Sequence, residues 1–396
     1  MFISTRFLQM GALALALAGC ASSGGTTAAL NAPPTPSASP AAQKKAAQAP
    51  APQPAAQSED VPEPAVSERD IKRYAATLAA ERGLDPARVQ ALLNSARYNA
   101  TVARLIAPPA ARPDGAKPQR SWPAYRQRFV EPIRIRAGVA FMAENAQALA
   151  RAESRYGVPA DIIAAIIGVE TLYGKHMGNF RVLDALATLA FDYPDPKRPD
   201  RAEMFRTQLG DLIELSAKDG VDAASVRGSY AGAIGLPQFM PGSILRYAVD
   251  GNGDGKIDLI NDVDDAIQSV ANFLVEHGWQ RGLPVFAPVR LPADPSGLVD
   301  GGLSPHLDWA GMQAAGAVQL GATPAEGAAI AAWQRAGLGV INLPDEPTDT
   351  VQYRTGTPNF FALTHYNRSY FYATSVSDLA DALRDARLRR QAEAPR

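Results

Sequence analysis

The stretch that most restricts the fold is residues 161–180, DIIAAIIGVETLYGKHMGNF. From position 162 to 169 no side chain can ionise or donate a strong hydrogen bond, which predicts a helix buried on every side. Glu170 then closes the run. Helical spacing sets it on one face with Ile163, Ile166 and Ile167, so its neighbours one and two turns back are hydrocarbon. Burial disfavours a carboxylate and raises its pKa, which suits a general acid working near neutral pH. A glutamate that merely caps the end of a core helix fits the same pattern.

The flanking sequence is also mainly helical. Residues 67–106 read as two or three amphipathic helices, with a turn at 83–86 and Pro86 at a first helical position. After a proline-rich loop at 107–121, a helix is predicted from near Trp122 to beyond Arg136, and helix continues to Tyr156. Trp122, Tyr125 and Phe129 recur in it at near-helical spacing, as core or as a platform for a flat ligand. Tyr173, one turn after Glu170, is placed on the same face. Further helices are predicted at 184–190, 202–218 and 266–277, with a proline-rich, mixed-charge excursion at 191–201. Residues 282 to about 360 read as a small inserted α+β lobe, with β-like runs at 285–291 and 350–353 and a helix at 324–336. A final helix follows, to about Arg389.

Three segments carry candidate chemistry. Residues 228–242, GSYAGAIGLPQFMPG, are dense in glycine and lack the lysine of a phosphate-cradling loop. Close backbone packing and room for a bulky neutral ligand both explain them. Next, Asp250, Asn252, Asp254 and Asp258 stand at the first, third, fifth and ninth positions of an EF-hand-like calcium loop, with Gly255 at the sixth and Ile257 at the eighth. Lys256 holds the seventh place, where such loops use the backbone carbonyl. Asn261 stands where a bidentate Glu belongs, so closure of the 250–265 loop is expected from Asp265, or failing that Asp264. A single loop of this kind implies a structural ion, and an Asp/Gly turn without metal is the other reading. The third segment, 361–372, sets Asn367 among Tyr366, Tyr370 and Tyr372, a composition that fits a buried helix start or a sugar site.

The chain of 396 residues balances 39 Lys and Arg against 40 Asp and Glu, so no excess of positive charge points to nucleic acid. Residues 1–19 carry Arg6 and an apolar run at 10–18, too short to span a bilayer but sufficient for a signal-peptide core. Cys20, the sole cysteine, completes Leu-Ala-Gly-Cys and resembles the lipidation site of bacterial lipoproteins; an ordinary cleaved signal peptide is the alternative. Ala21 after it implies outer-membrane sorting of such a lipoprotein. Residues 20–66 are Ala-, Pro-, Gln- and Ser-rich and are expected to form a disordered tether, leaving 67–396 as the catalytic domain.

Taken together, Trp122-Pro-Ala-Tyr125, Gly168-Val-Glu-Thr-Leu-Tyr-Gly174, the segment 229–241, the calcium loop and Tyr366-Asn-Arg-Ser-Tyr-Phe-Tyr372 resemble the membrane-bound lytic murein transglycosylase B family. That resemblance implies a lysozyme-like helical core with a helical lobe and a smaller mixed lobe. It implies cleavage of the β-1,4 bond between N-acetylmuramic acid and N-acetylglucosamine in peptidoglycan, leaving a 1,6-anhydromuramic end. Glu170 is then the sole acid/base, with Ser229 and Asn367 beside the reacting group. Tyr125, Gln238, Tyr366 and Tyr372 are expected to line the glycan cleft, joined by Tyr173, Phe239 and Phe273, the last replacing an expected tyrosine. No catalytic cofactor is implied. The expected setting is the periplasm of a Gram-negative bacterium, where a monomer tethered to the outer membrane meets glycan strands and wall-synthesis proteins. Hydrolysis by a lysozyme-type muramidase and non-catalytic wall binding are the rival readings. Asp161 projects from the opposite side of the helix, so no second acid accompanies Glu170.

Overall fold

The hydrocarbon run is a helix, Ala160–Thr171, in which every residue from 161 to 168 is buried. In this computed structural model the described residues are 68–108, 118–218, 221–321 and 331–393. Four helices pack around the central one: Pro132–Glu144, Ala146–Tyr156, Val263–Glu276 and the C-terminal Tyr370–Glu393. Burying so many isoleucines on all sides supplies on the order of 1.5–3 kcal/mol per side chain, which fixes this helix as the centre of the core.

The C-terminal helix is held by charge as well as by packing. Buried Asp161 accepts from Arg384 Nε at 2.6 Å. Buried Asp378 accepts from Arg126 and Arg354, each at 2.5 Å, joining the helix Trp122–Gln127 and the strand Thr350–Gly356 to the C-terminal helix. The arginines keep part of their surface in water, with Arg126 and Arg384 at 41% and 50% exposure, so these pairs set how the elements meet more than they add to stability.

The single helix expected from Trp122 onward is broken twice. Pro132 restricts the residue before it to extended backbone, and Glu131 takes up that conformation while capping the amides of Ile133 and Arg134 at 2.6 Å. Asn145 makes the second break, before Ala146–Tyr156 begins, and Gly157 ends that helix with φ 70°. The N-terminal part forms three helices, Glu68–Arg82, Pro86–Ser95 and Ala100–Ile106. Arg82 bonds Asp211 and Glu214 on the helix Pro199–Lys218, which lies beside Val182–Phe191.

The inserted region has its own apolar cluster, including Leu283, Trp309, Met312, Trp333 and Leu338. A seven-residue strand missed in the sequence, Gly339–Asp345, pairs antiparallel with Thr350–Gly356, a longer strand than expected. Of the run 285–291 only Val289–Arg290 is strand, paired with Val318–Gln319. The expected helix at 324–336 lies mostly outside the described residues, and Ala332–Arg335 is a 3-10 turn. Cys20, the leader and the tether also lie outside them. Among the described residues no helix is long and apolar enough to cross a membrane.

Candidate active site

Glu170 sits in the last turn of the central helix, partly open at its surface while protein crowds its carboxyl. Oε1 accepts a hydrogen bond from the Tyr372 hydroxyl at 2.6 Å. Tyr372 is 1% exposed and comes from the first turn of the C-terminal helix. Burial pushes the Glu170 pKa from its ordinary 4.5 to about 7, and the Tyr372 hydrogen bond opposes that rise. Among the described residues no second carboxylate contributes to that shift.

The segments singled out in the sequence converge here. Tyr366, from the helix Pro358–Tyr366, stacks on Tyr372 with ring centroids 6.2 Å apart, and its hydroxyl donates to the Pro237 carbonyl at 2.6 Å. That bond fastens the glycine-rich segment to the tyrosine pair. Tyr125 packs on Phe129 and Phe371, and burial together with the charge of Glu170 pushes its pKa up to about 12. Asn367 follows the helix in extended backbone, nearly buried, and its side-chain amide has no hydrogen-bond partner among the described residues. It is free to bind a ligand group.

Other expected residues do different work. Ser229 is buried, and its Oγ accepts from the Ala233 amide at 3.0 Å, closing a tight turn; it makes no hydrogen bond to Glu170. Gln238 adopts φ 50° and donates Nε2 to the carbonyls of Gly235 (2.9 Å) and Met177 (3.1 Å), clamping two loops together. Phe239 and Phe273 are buried in an aromatic cluster with Tyr366, at 5.8 and 4.9 Å from its ring, so they support the tyrosines from below and present no open face. Tyr173 does not share the face of Glu170. The helix stops at Thr171, and Leu172 and Tyr173 take φ 51° and 57°. This turns the phenol against Gly168 and Gly138, where an added Cβ would fall 2.5 and 2.2 Å from its oxygen. Thr171, not singled out in the sequence, donates Oγ1 to the Leu236 carbonyl at 3.0 Å and so ties the central helix to the glycine-rich segment. Its only signal was a hydroxyl residue at the end of an apolar helix.

The 250–265 loop offers oxygen donors alone, the chemistry of a hard cation. Gly253 and Gly255 have positive φ, as the tight loop needs. Asp265 is 1% exposed and accepts from the Gly251 and Asp258 amides at 2.7 Å each, bracing both ends of the loop. Asp264 faces away, paired with Arg151 at 2.6 Å, which removes it from the expected closure. Asp258 is also turned aside, onto the amides of Ile260 and Asn261. Burial pushes the Asp265 pKa up, the sign of a carboxylate short of positive charge. Among the described residues no three acidic, histidine or cysteine side chains converge as a ready metal site. The donor types fit a hard cation, and an ion held there would draw on Asn252 and the Lys256 carbonyl as well as on acidic side chains.

Residues 67–381 match the family described as transglycosylase SLT domain. The membrane-bound lytic murein transglycosylase B of Escherichia coli is 36% identical over 331 residues, covering 80% of this chain and 83% of that protein. An Escherichia coli lytic transglycosylase, Slt35, solved in complex with calcium, superposes with a TM-score of 0.67 at 34% identity, covering 83% of this chain and 96% of that one. SltB3 of Pseudomonas aeruginosa, crystallised with NAG-NAM-pentapeptide, gives a TM-score of 0.66 at 30% identity, covering 81% and 80%.

The shifted acid has a stability consequence. As pH rises from 4.5, the unfolded chain ionises at Glu170 while the folded protein resists until about 7, so stability is lost across that window and stays lost above it. Glu170→Gln removes the penalty and keeps an acceptor for Tyr372. It should stabilise the protein at pH 8, by as much as about 3 kcal/mol, and leave stability unchanged near pH 4. Denaturant unfolding at the two pH values checks this; an equal effect at both would mean the carboxyl titrates normally.

Proposed function

This chain belongs to the transglycosylase SLT domain family and is a lytic murein transglycosylase, and we propose that Glu170 alone carries out its proton transfers. The observation that carries the proposal is a carboxyl enclosed at the end of a buried helix and bonded by Tyr372, with no second carboxylate perturbing it among the described residues. Most glycosidases need two acids, one of them to activate water or attack the sugar. Here the substrate supplies both nucleophiles. Protonated Glu170 gives its proton to the glycosidic oxygen, and the C1–O bond breaks as the muramoyl N-acetyl carbonyl oxygen bonds to C1. The muramoyl O6 then attacks C1 and expels that carbonyl, and the Glu170 carboxylate takes the O6 proton. The 1,6-anhydro ring closes and the acid is regenerated without water.

Tyr372 occupies Oε1 and leaves Oε2 to face the sugar. Its hydrogen bond also favours the carboxylate that must accept the second proton. Asn367, whose amide lacks a protein partner, is the candidate to hold the acetamido group, and Tyr125 the candidate to flank it. Ser229 acts through the turn it closes.

Mass spectrometry of digested peptidoglycan checks the reaction. Anhydromuramic ends are expected, with kcat falling at least ~100-fold in Glu170→Gln. Reducing muramic ends would overturn it in favour of hydrolysis, and undiminished cleavage by Glu170→Gln would place the chemistry elsewhere.

A calcium ion is proposed for the 250–265 loop, held by Asp250, Asn252, Asp254 and the Lys256 carbonyl and closed by Asp265. Support comes from the oxygen-only donors, the buried Asp265 and the calcium complex of the Escherichia coli relative. Its role is structural. Calcium should raise the melting temperature of chelator-treated protein and leave the product unchanged; a melt indifferent to calcium would remove the site.

The N-terminal residues support a lipid anchor at Cys20, outer-membrane attachment and a periplasmic domain that reaches glycan strands through the 20–66 tether. Expressed in a Gram-negative host with a clickable palmitate analogue, the protein should take up label and Cys20→Ser should not. Equal labelling of both would refute the anchor.

A further inference from the structure

The loop between the helices Val182–Phe191 and Pro199–Lys218 takes no part in the mechanism above. Asp192 ends the first helix and Tyr193 follows it. The Tyr193 ring lies nearly parallel to that of Phe205, with centroids 6.0 Å apart and planes at 25°. Phe205 is fully buried and Tyr193 only half-buried, so the core backs one face of the phenol ring while part of the residue meets solvent. Prolines at 194, 196 and 199 restrict the segment that carries it.

A second half-buried tyrosine, Tyr230, follows Ser229 directly, and burial together with the nearby Tyr193 phenol pushes its pKa up. The glycine-rich turn lies against the helix that delivers Asp192: a Cβ on Gly232 would meet Leu186 at 2.4 Å, and one on Gly228 would meet Val182 at 3.0 Å. Tyr193 and Tyr230 therefore come from two segments that pack against each other through this turn. Asp192, next to Tyr193 in the chain, is a half-buried acid with no hydrogen bond or ion pair on its carboxyl among the described residues. Burial pushes its pKa up to about 6, as expected of an acid for which the protein provides no partner.

We propose that Tyr193, Tyr230 and Asp192 form an additional saccharide subsite, which takes an N-acetylhexosamine ring of the glycan strand outside the pair whose bond is broken. A pyranose offers C–H faces to a supported aromatic ring and hydroxyl donors to an unpartnered carboxylate, and these residues provide both. A sugar hydroxyl on Asp192 replaces the solvation that burial removed. The proposal rests on the reading of the chain as a glycan-cleaving enzyme, and it gives the proline-rich loop a role in gripping long strands.

The test uses Glu170→Gln protein, which holds glycan without turnover, and calorimetric titration with stem-free peptidoglycan tetrasaccharide and octasaccharide. Tyr193→Ala and Asp192→Asn should each weaken octasaccharide binding roughly three- to ten-fold and leave tetrasaccharide binding unchanged. Tyr193→Phe should bind as its parent does. Octasaccharide affinity unchanged in Tyr193→Ala and Asp192→Asn, or equal loss for both lengths, would overturn the subsite. If Tyr193→Ala fails to fold, Tyr230→Ala and Asp192→Asn give the same readout. Failure of the lytic reading would appear separately, as reducing ends among wild-type products.

Discussion

Everything near the active centre depends on keeping the carboxyl of Glu170 short of water without removing its last hydrogen bond. Burial alone would hold the proton too firmly for the group to release it, and full solvation would leave an anion with nothing to donate. Tyr372 sets the balance, since its phenol steadies the carboxylate while the surrounding protein opposes it. An acid near pKa 7 gives and takes a proton with similar ease, which is what the proposed reaction asks of Glu170.

The same constraint explains the abrupt end of the helix. A regular continuation past Thr171 would put Tyr173 on the face of Glu170, one turn on. The chain instead turns through two successive non-glycine residues with positive φ, at a cost of order 1–3 kcal/mol each. Tyr173 is held in that conformation by its contact with Gly138 and Gly168, and Thr171 by its bond to Leu236. Gly168, an odd residue inside a buried helix, is there because a side chain would occupy the place of the Tyr173 phenol. The turn also brings in the glycine-rich segment, which Gln238 clamps to Met177.

What the sequence revealed followed from the range of each interaction. The buried helix, its terminal acid and the Asp/Gly loop are local patterns, and each lies where the spacing placed it. The breaks at Pro132 and Asn145 lie past the near-helical spacing of Trp122, Tyr125 and Phe129, which says nothing beyond residue 129, although Glu131 two residues before Ile133 carries a capping signal. The strand Gly339–Asp345 contains Pro344, which weakens a strand pattern, and a two-stranded ribbon leaves an edge where the missing N–H is tolerated. The Tyr372–Glu170 bond spans 202 positions and leaves no periodic trace. The family resemblance brought the two residues into one site, and coordinates alone gave the donor and acceptor. Likewise, spacing could not distinguish Asp264 from Asp265, because only the packing of the helix decides which one turns toward the loop and which toward Arg151.

The C-terminal helix connects stability to chemistry. A phenol serves this carboxyl only if it is held to a few tenths of an ångström, and Tyr372 lies at the free end of a long helix. Packing apolar side chains tolerates small slides along a helix axis, whereas a two-armed ion pair does not. Asp378 with Arg126 and Arg354 fixes the helix to the wall that carries Tyr125, and Arg384 with Asp161 fixes it to the far end of the catalytic helix. The central helix is thus secured at both ends by one neighbour, through charge at Asp161 and through the hydrogen bond at Glu170. Because the two helices move together, the distance between phenol and carboxyl is preserved, and the stability lost by burying Glu170 is offset by interactions on the same pair of helices.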